Sequence, residues 1–98
     1  MTVLSDLAAL IPDARDRLKG VARITPVELN QRLTEATGSE VWLKREDLQP
    51  VRSYKLRGAY NLISQLPPEA REAGVVCASA GNHGQGVAFA AATLGIGA

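Results

Sequence analysis

The sequence predicts an α/β fold in which strands alternate with helices. Two apolar runs, at residues 40–45 and 74–78, have the length and residue content of buried strands. A helical pattern follows each of them, at residues 53–65 and 83–94. Strands that alternate with helices usually pair in parallel through right-handed crossovers. Because two strands do not make a stable parallel sheet alone, we expect an incomplete sheet, the N-terminal portion of a larger domain.

Two helices are expected ahead of the first strand, so the predicted order is ααβαβα with parallel strands. Apolar residues recur at helical spacing over residues 5–19, where Pro12 predicts either a kink or a division into two short helices. The Thr-Pro-Val-Glu stretch at residues 25–28 is typical of a helix start. Threonine would cap the helix, proline would be its first residue, and glutamate would complete a capping box. This second helix is expected to end at Gly38.

Composition and charge narrow the class of function. The net charge is only +1 and no basic stripe is interleaved with aromatic residues, which argues against nucleic acid as a partner. We recognise no signal peptide and no apolar run that could span a bilayer, so we expect a cytoplasmic protein without a membrane partner. Cys77 is the only cysteine, which argues against a disulfide or a cysteine-based metal site. It is expected to be a small apolar residue inside the second strand.

One lysine lies where a helix is predicted to begin. Ser53 is typical of an N-cap, and a helix over residues 54–65 would place Lys55 in its first turn. The positive end of the helix dipole disfavours an ammonium group there by roughly 0.3–1 kcal/mol. It therefore favours the neutral amine, which is the form that attacks carbonyl groups. The alternative for any single lysine is a solvated surface position.

A glycine-rich loop connects the second predicted strand to the last helix. Residues 79–86 read Ser-Ala-Gly-Asn-His-Gly-Gln-Gly, and ligands of open α/β sheets bind at the carboxyl ends of strands, where this loop lies. Its glycines let the backbone approach a ligand, and the helix that follows offers unpaired N–H groups to an anion. A dinucleotide site is an alternative, although the order G-x-x-G-x-G differs from the usual G-x-G-x-x-G.

Two side chains of this loop have the chemistry to face a ligand. Asn82 can donate an amide N–H to an oxyanion and stays neutral at every pH. His83 could serve as a general acid or base, or as a structural donor within the loop, and we favour the structural role. With Lys55, the site would combine an amine, an amide donor and an anion-binding backbone.

These motifs resemble the pyridoxal-phosphate enzymes of the tryptophan-synthase-β type, known as fold type II. The resemblance rests on Ser-Tyr-Lys-Leu-Arg-Gly-Ala at residues 53–59 and on the loop at residues 79–86. Leu-Lys-Arg-Glu-Asp-Leu-Gln at residues 43–49 supports it. Within this family the chain resembles the threonine dehydratase branch, since cysteine synthases typically have Thr rather than His after the asparagine. The resemblance runs over residues 23–95.

The resemblance implies a cofactor and a reaction. The cofactor would be pyridoxal 5'-phosphate, and the reaction would be dehydration and deamination of L-threonine to 2-oxobutanoate and ammonia, as in isoleucine biosynthesis. Lys55 would hold the cofactor covalently and, once released, would abstract the α-proton of the substrate. Asn82 would donate a hydrogen bond to the 3-oxygen of the cofactor ring. The loop that binds the substrate carboxylate, largely through backbone N–H groups, would include Ser79, Gly81, His83 and Gly84.

Two other residues of the lysine motif receive supporting roles from the resemblance. Tyr54 would pack near the cofactor ring without chemistry of its own. Arg57 would either form a salt bridge with Glu46 or Asp47 or remain solvated. We favour the salt bridge, which would orient the helix that carries the lysine.

The resemblance also implies parts that we do not find in these 98 residues. A glycine-rich loop for the cofactor phosphate and a Ser or Cys facing the pyridine nitrogen are expected downstream. Residues 1–60 would begin the large domain and residues 61–98 the small domain of a homo-oligomeric enzyme that takes a small amino acid. The 98 residues alone are predicted to bind the cofactor poorly and to leave threonine unchanged. The alternatives are serine dehydratase or serine racemase, a non-catalytic truncated remnant, and a nucleotide-binding module.

Overall fold

A computed structural model describes residues 2–98, and helices and strands are mixed along that part of the chain as the α/β class predicts. The helices are α1 (Val3–Leu18), α2 (Gln31–Thr37), α3 (Lys55–Ile63), α4 (Pro68–Ala73) and α5 (Asn82–Leu94). The strands are β1 (Val27–Leu29) and β2 (Trp42–Lys44), and a 3₁₀ turn covers Glu46–Leu48. Within residues 2–98, none of the helices combines the length and the apolar content that crossing a membrane requires.

The core lies between α3 and α5. Buried apolar side chains of both helices meet there with one residue that follows α5, namely Ala59, Ile63, Val87, Ala90, Ala91 and Ile96. The helices approach so closely that a Cβ atom on Gly86 would lie 3.0 Å from the carbonyl carbon of Lys55. Only glycine fits this contact without displacing a backbone. The packing therefore sets the start of α3 directly against the first half of α5.

The first helix is a single element and not two. Pro12 lies inside α1, so the predicted division into two short helices did not form. Proline removes one backbone donor from the helix, and the turns on either side continue without it. The helix begins two residues earlier than Ser5, because Thr2 and Ser5 form a reciprocal capping box. Arg17 of α1 donates from Nε to Oδ1 of Asn61 in α3 over 2.8 Å.

Residues 25–29 contradict the predicted second helix, since they lead into a strand. β1 pairs with β2 in an antiparallel register that sets Val27 opposite Lys44 and Leu29 opposite Trp42. Helix α2 starts only at Gln31, where the side chain of Asn30 accepts a hydrogen bond from the N–H of Leu33 over 2.9 Å. The predicted end is confirmed, because Gly38 takes the left-handed conformation with φ 72.

The capping-box prediction was wrong because both of its side chains have partners far along the chain. The hydroxyl of Thr25 donates to Oε1 of Glu46 over 2.6 Å. The carboxylate of Glu28 accepts from Nη1 of Arg45 over 2.7 Å. Neither side chain is left to satisfy a helix N-terminus, so the tertiary contacts override the local signal.

The predicted parallel pair of strands is also absent from residues 2–98. β2 is a three-residue strand whose Trp42 is 55% exposed, so the run at residues 40–45 is less buried than predicted. Residues 74–78 are not paired in a sheet, although the N–H of Val75 donates to the carbonyl of Gly97 over 2.9 Å. Val76 is 97% exposed, and Cys77 is exposed rather than buried. A strand of this kind is buried only when neighbouring strands cover it, and residues 2–98 supply none.

Candidate functional site

Lys55 is the first residue of α3, so the sequence placed it correctly at a helix start. Tyr54, and not Ser53, occupies the capping position and makes no capping hydrogen bond with its side chain. The Ser53 hydroxyl accepts from the N–H of Lys55 only over 3.4 Å, which is long for a hydrogen bond. Nζ of Lys55 lies 5.1 Å from the centre of the Tyr54 ring, within the range of a cation–π contact.

The chain has three lysines, and the amine of Lys55 differs from the other two. Nζ of Lys19 pairs with Asp16 over 2.8 Å. Nζ of Lys44 donates to the carbonyl of Thr25 over 2.5 Å. Nζ of Lys55 has no ion pair or hydrogen bond within residues 2–98, and the residue is only partly buried. It is therefore free to react with a ligand.

Ser79 organises the glycine-rich loop. Its hydroxyl oxygen accepts from the N–H of Gly81 over 3.0 Å and from the N–H of Gly84 over 2.8 Å. A Cβ atom on Gly84 would lie 3.3 Å from Cβ of Ser79, which leaves little room for a side chain there. Three of the residues predicted for the carboxylate loop are thus joined by two hydrogen bonds.

The start of α5 offers open backbone donors. The helix begins at Asn82, and Gly81 at the capping position brings no side chain to it. The N–H of Gln85 bonds to the carbonyl of Gly81 over 3.0 Å, and the N–H of Gly84 is used within the loop. The N–H groups of Asn82 and His83 have no acceptor in the described part of the chain. Such groups at a helix N-terminus are suited to bind an anion.

The contact at Gly86 brings the two motifs together. Gly86 is one turn beyond Asn82, and a Cβ atom on it would lie 3.1 Å from the carbonyl oxygen of Lys55. The lysine at the start of α3 and the open donors at the start of α5 are therefore neighbours. His83 lines a cavity of about 220 Å³ between the two helices and residues 75–77. Whether the ring of His83 acts as a structural donor stays a prediction.

Arg57 forms the predicted salt bridge, and its partner is Glu46. Its Nε donates to Oε2 of Glu46 over 2.8 Å and its Nη2 donates to Oε1 over 2.9 Å. Asp47, the other predicted partner, pairs instead with Arg45 through two hydrogen bonds of 2.9 and 2.8 Å. The planar guanidinium thus donates to both oxygens of the Glu46 carboxylate. This bidentate geometry is the strong form of an Arg–carboxylate interaction.

Glu46 lies at the centre of a cluster that the sequence indicated only in part. Besides Arg57, its carboxylate accepts from the Thr25 hydroxyl over 2.6 Å and from Nε2 of Gln49 over 3.2 and 3.3 Å. Nζ of Lys44 lies 4.0 Å away. The hydrogen bond from Arg57 contributes most. Together these hydrogen bonds outweigh the cost of burial and lower the pKa of Glu46 from 4.5 to about 2. The same contact raises the pKa of Arg57.

Gln49 is the member of this cluster that the sequence analysis missed. It is 1% exposed, and its amide exchanges two hydrogen bonds with the backbone of Arg23. The N–H of Arg23 donates to Oε1 over 2.9 Å, and Nε2 donates to the carbonyl of Arg23 over 2.8 Å. A buried amide must be paired in this way, but a glutamine in a polar loop carries no local signal that it will be buried.

Comparisons with known proteins show the family to which the chain belongs. The model of a family described as pyridoxal-phosphate dependent enzyme matches residues 18–98. The chain is 59% identical over 86 residues to the biosynthetic L-threonine dehydratase IlvA of Mycobacterium leprae, covering 88% of this chain and 20% of the relative. It is 55% identical over 89 residues to the protein of the same name from Corynebacterium glutamicum, covering 91% of this chain and 20% of that relative. The chain thus spans about a fifth of the length of the curated relatives it matches.

A solved structure with the same arrangement is the processed form of threonine deaminase isoform 2 from Solanum lycopersicum. It has a TM-score of 0.79 and 43% identity, and the match covers 94% of this chain and 27% of that chain. Serine racemase from Dictyostelium discoideum gives a TM-score of 0.79 at 38% identity, covering 88% of this chain and 28% of that chain. The predicted resemblance to threonine dehydratases and the predicted fold class are confirmed.

Proposed function

Because this chain belongs to the family of pyridoxal-phosphate dependent enzymes, we propose that it supplies part of the active site of an L-threonine dehydratase. The reaction would convert L-threonine to 2-oxobutanoate and ammonia. One observation carries the proposal: Lys55, whose amine has no ion pair or hydrogen bond within residues 2–98, packs its backbone against Gly86, one turn beyond the two open N–H groups at the start of α5. The identity to biosynthetic threonine dehydratases supports threonine as the substrate.

The residues present fit pyridoxal phosphate. When bound, this cofactor supplies the electron sink that lets an amino acid lose its α-proton. Nζ of Lys55, which has no other partner within residues 2–98, would hold the cofactor through its aldehyde carbon. After release, the same nitrogen would accept the α-proton of the substrate. The side-chain amide of Asn82 would donate to the ring oxygen of the cofactor.

The loop before α5 would hold the carboxylate of the amino acid. We assign this contact to the N–H groups of Asn82 and His83, because the loop leaves both of them without an acceptor. Ser79 would keep the loop in shape, since its hydroxyl already binds the N–H groups of Gly81 and Gly84. We give the ring of His83 no proton-transfer step, since it faces a cavity with largely apolar walls.

The remaining parts of the proposal follow from the resemblance. Residues 1–60 and 61–98 would begin the large and small domains of the catalytic unit. The whole enzyme would be a cytoplasmic homo-oligomer that takes a small amino acid. The 98 residues alone are still predicted to bind the cofactor weakly and not to turn over threonine, since we assign no residue here to the cofactor phosphate or to the pyridine nitrogen.

Serine racemase and serine dehydratase are the second candidate function. The similarity to the serine racemase from Dictyostelium discoideum supports this second candidate, because the same lysine and loop would bind serine as well as threonine. The two candidates differ in their substrates and products. An assay of the enzyme that carries this chain, with L-threonine against L-serine and D-serine, would separate them.

The role of Lys55 can be tested on the chain itself by reductive trapping. The protein is incubated with pyridoxal phosphate, reduced with borohydride and mapped by mass spectrometry for modification at Lys19, Lys44 and Lys55. We expect Lys55 to carry most of the label, because the other two amines are paired. The variant Lys55→Ala should lose most of the trapped label, whereas Lys19→Ala should keep it. Equal labelling of the three lysines would contradict the proposal.

A second variant tests the loop rather than the lysine. Asn82→Ala removes the amide donor and leaves the amine of Lys55 in place. We expect it to lower labelling of Lys55 and to leave labelling of Lys19 unchanged. An unchanged yield at Lys55 would show that Asn82 does not contact the cofactor.

A further inference from the structure

The side chains next to Lys55 do little to fix the start of α3. Tyr54 stands at the capping position without a capping hydrogen bond. The Ser53 hydroxyl reaches the N–H of Lys55 only at 3.4 Å. A helix start without a good cap frays, and a frayed first turn would not hold a lysine in one place. Another group must therefore hold this turn.

Arg57 supplies that connection. It lies two residues beyond Lys55 in the first turn of α3, and its guanidinium binds both oxygens of Glu46. Its Nη2 also donates to the carbonyl of Arg23 over 3.3 Å. Two hydrogen bonds in one plane fix the direction of the side chain as well as its distance. The first turn of α3 is thereby tied to a group outside the helix.

Glu46 is itself held by Thr25 and by Gln49, the residue that follows its own 3₁₀ turn. The Thr25 hydroxyl, just ahead of β1, donates to one of its oxygens over 2.6 Å. The amide of Gln49 contacts both oxygens and is paired with the backbone of Arg23. The carboxylate is thus a fixed point, built from three separate parts of the chain.

The first turn of α3 is also held from α5. The backbone at Gly86 packs so closely on Lys55 and Leu56 that a Cβ atom would lie 3.0 to 3.1 Å from their backbone atoms. Movement of the turn toward α5 would cause a steric clash at Gly86. Movement away from Glu46 would break the hydrogen bonds of Arg57. The direction in which the side chain of Lys55 leaves the helix depends on both.

We propose that Glu46, acting through Arg57, is a positioning residue that fixes the first turn of α3 so that the amine of Lys55 faces the start of α5. The inference rests on the proposed function of Lys55 and assigns it a residue that touches neither cofactor nor substrate. A salt bridge that only stabilises the fold would slow amide exchange equally along the whole chain. A positioning residue would slow it mainly in the first turn of α3.

The first test uses no cofactor. Amide hydrogen exchange is measured on the 98-residue chain, comparing the wild type with Glu46→Gln and with Asp47→Asn as a matched change in the same 3₁₀ turn. We expect exchange at Arg57 and Gly58 to rise by roughly tenfold in Glu46→Gln, the scale of one lost hydrogen bond to a charged group. Exchange in the second half of α5 should rise clearly less than exchange at Arg57 and Gly58, and Asp47→Asn should resemble the wild type.

The second test measures the reactivity of the Lys55 amine. In reductive trapping with pyridoxal phosphate, the ratio of label on Lys55 to label on Lys19 should fall severalfold in Glu46→Gln and stay constant in Asp47→Asn. Arg57→Lys should behave like Glu46→Gln, since an ammonium cannot bind both oxygens in one plane. A loss of protection that is uniform along the chain, or no loss at all, would overturn the proposal.

Two further comparisons keep the test decisive if the first variant or the labelling fails. If Glu46→Gln does not fold, Thr25→Val removes only one hydrogen bond to the carboxylate, and it should raise exchange at the same two amides to a smaller extent. If the wild type labels its lysines equally, the proposed function of Lys55 fails. The exchange pattern at Arg57 and Gly58 still decides the role of Glu46 in that case.

Discussion

Replacing Glu46 with glutamine should cost stability by an amount that depends on pH. The variant keeps the shape of the side chain and loses the charge that accepts from Arg57, Thr25 and Gln49. A pKa lowered from 4.5 to about 2 corresponds to about 3 kcal/mol of favourable interaction with the carboxylate. The side chain of Arg57 is 35% exposed, so screening by solvent reduces the expected loss to about 1–2 kcal/mol at neutral pH.

The sign of the pH dependence follows from the same values. The pKa of Glu46 is lower in the folded protein than in the unfolded chain, so the carboxylate stabilises the fold fully above about pH 4.5. This stabilisation is lost as the pH falls towards 2. Glutamine does not titrate, and the pKa of Arg57, the cation that binds the carboxylate, is raised, so the charge of Arg57 does not change in this range. The difference between wild type and variant should therefore be largest at pH 7 and nearly closed at the acid end.

Urea unfolding followed by circular dichroism, repeated between pH 7 and pH 2.5, measures this difference. Asp47→Asn is the control, because Asp47 is 58% exposed and an ion pair at the surface contributes little to stability. The reasoning would be refuted by equal urea midpoints for wild type and Glu46→Gln at pH 7. A difference that stays constant down to pH 2.5 would refute it as well.

Three further changes test the packing and the backbone, each by urea unfolding at neutral pH. Gly86→Ala should destabilise the fold by about 1–3 kcal/mol, because its Cβ would lie 3.0 Å from the backbone of Lys55. Gly58→Ala has open space for its Cβ and should be neutral or stabilising, and equal losses in both would contradict the close contact. Arg52→Gly should stabilise by about 0.5–1 kcal/mol, since Arg52 has φ 62, and a loss would show that its side chain matters more. Asn30→Ala should cost about 1 kcal/mol through the lost cap of α2, and no cost would show that the cap is dispensable.

The features that the sequence predicted well depend on neighbouring residues. Lys55 begins a helix, α5 begins within one residue of the predicted start, and Gly38 ends its helix in the left-handed conformation. Glycine adopts that conformation at no steric cost, so it can end a helix without help from tertiary contacts. The lysine and loop motifs carried the resemblance to the family that the comparisons confirm.

The features that the sequence predicted wrongly depend on distant partners. Thr25 and Glu28 match a capping box, but their side chains bind Glu46 and Arg45 instead. The run at residues 74–78 matches a buried strand, yet its burial would require strands that residues 2–98 do not contain. In both cases the local pattern was present and a tertiary condition decided the result.

The sequence by itself determined the helix that begins at Lys55, the glycine-rich loop before α5 and the chemical character of both. Only the tertiary structure decided how they are held: the Glu46 cluster joins residues that are up to 34 positions apart, from Arg23 to Arg57. Helix starts and turns follow from energies between residues a few positions apart, which a linear sequence displays directly. The burial of Gln49, the two bonds from Arg57 and the close contact at Gly86 arise only when distant segments pack together, because burial is what makes their pairing necessary.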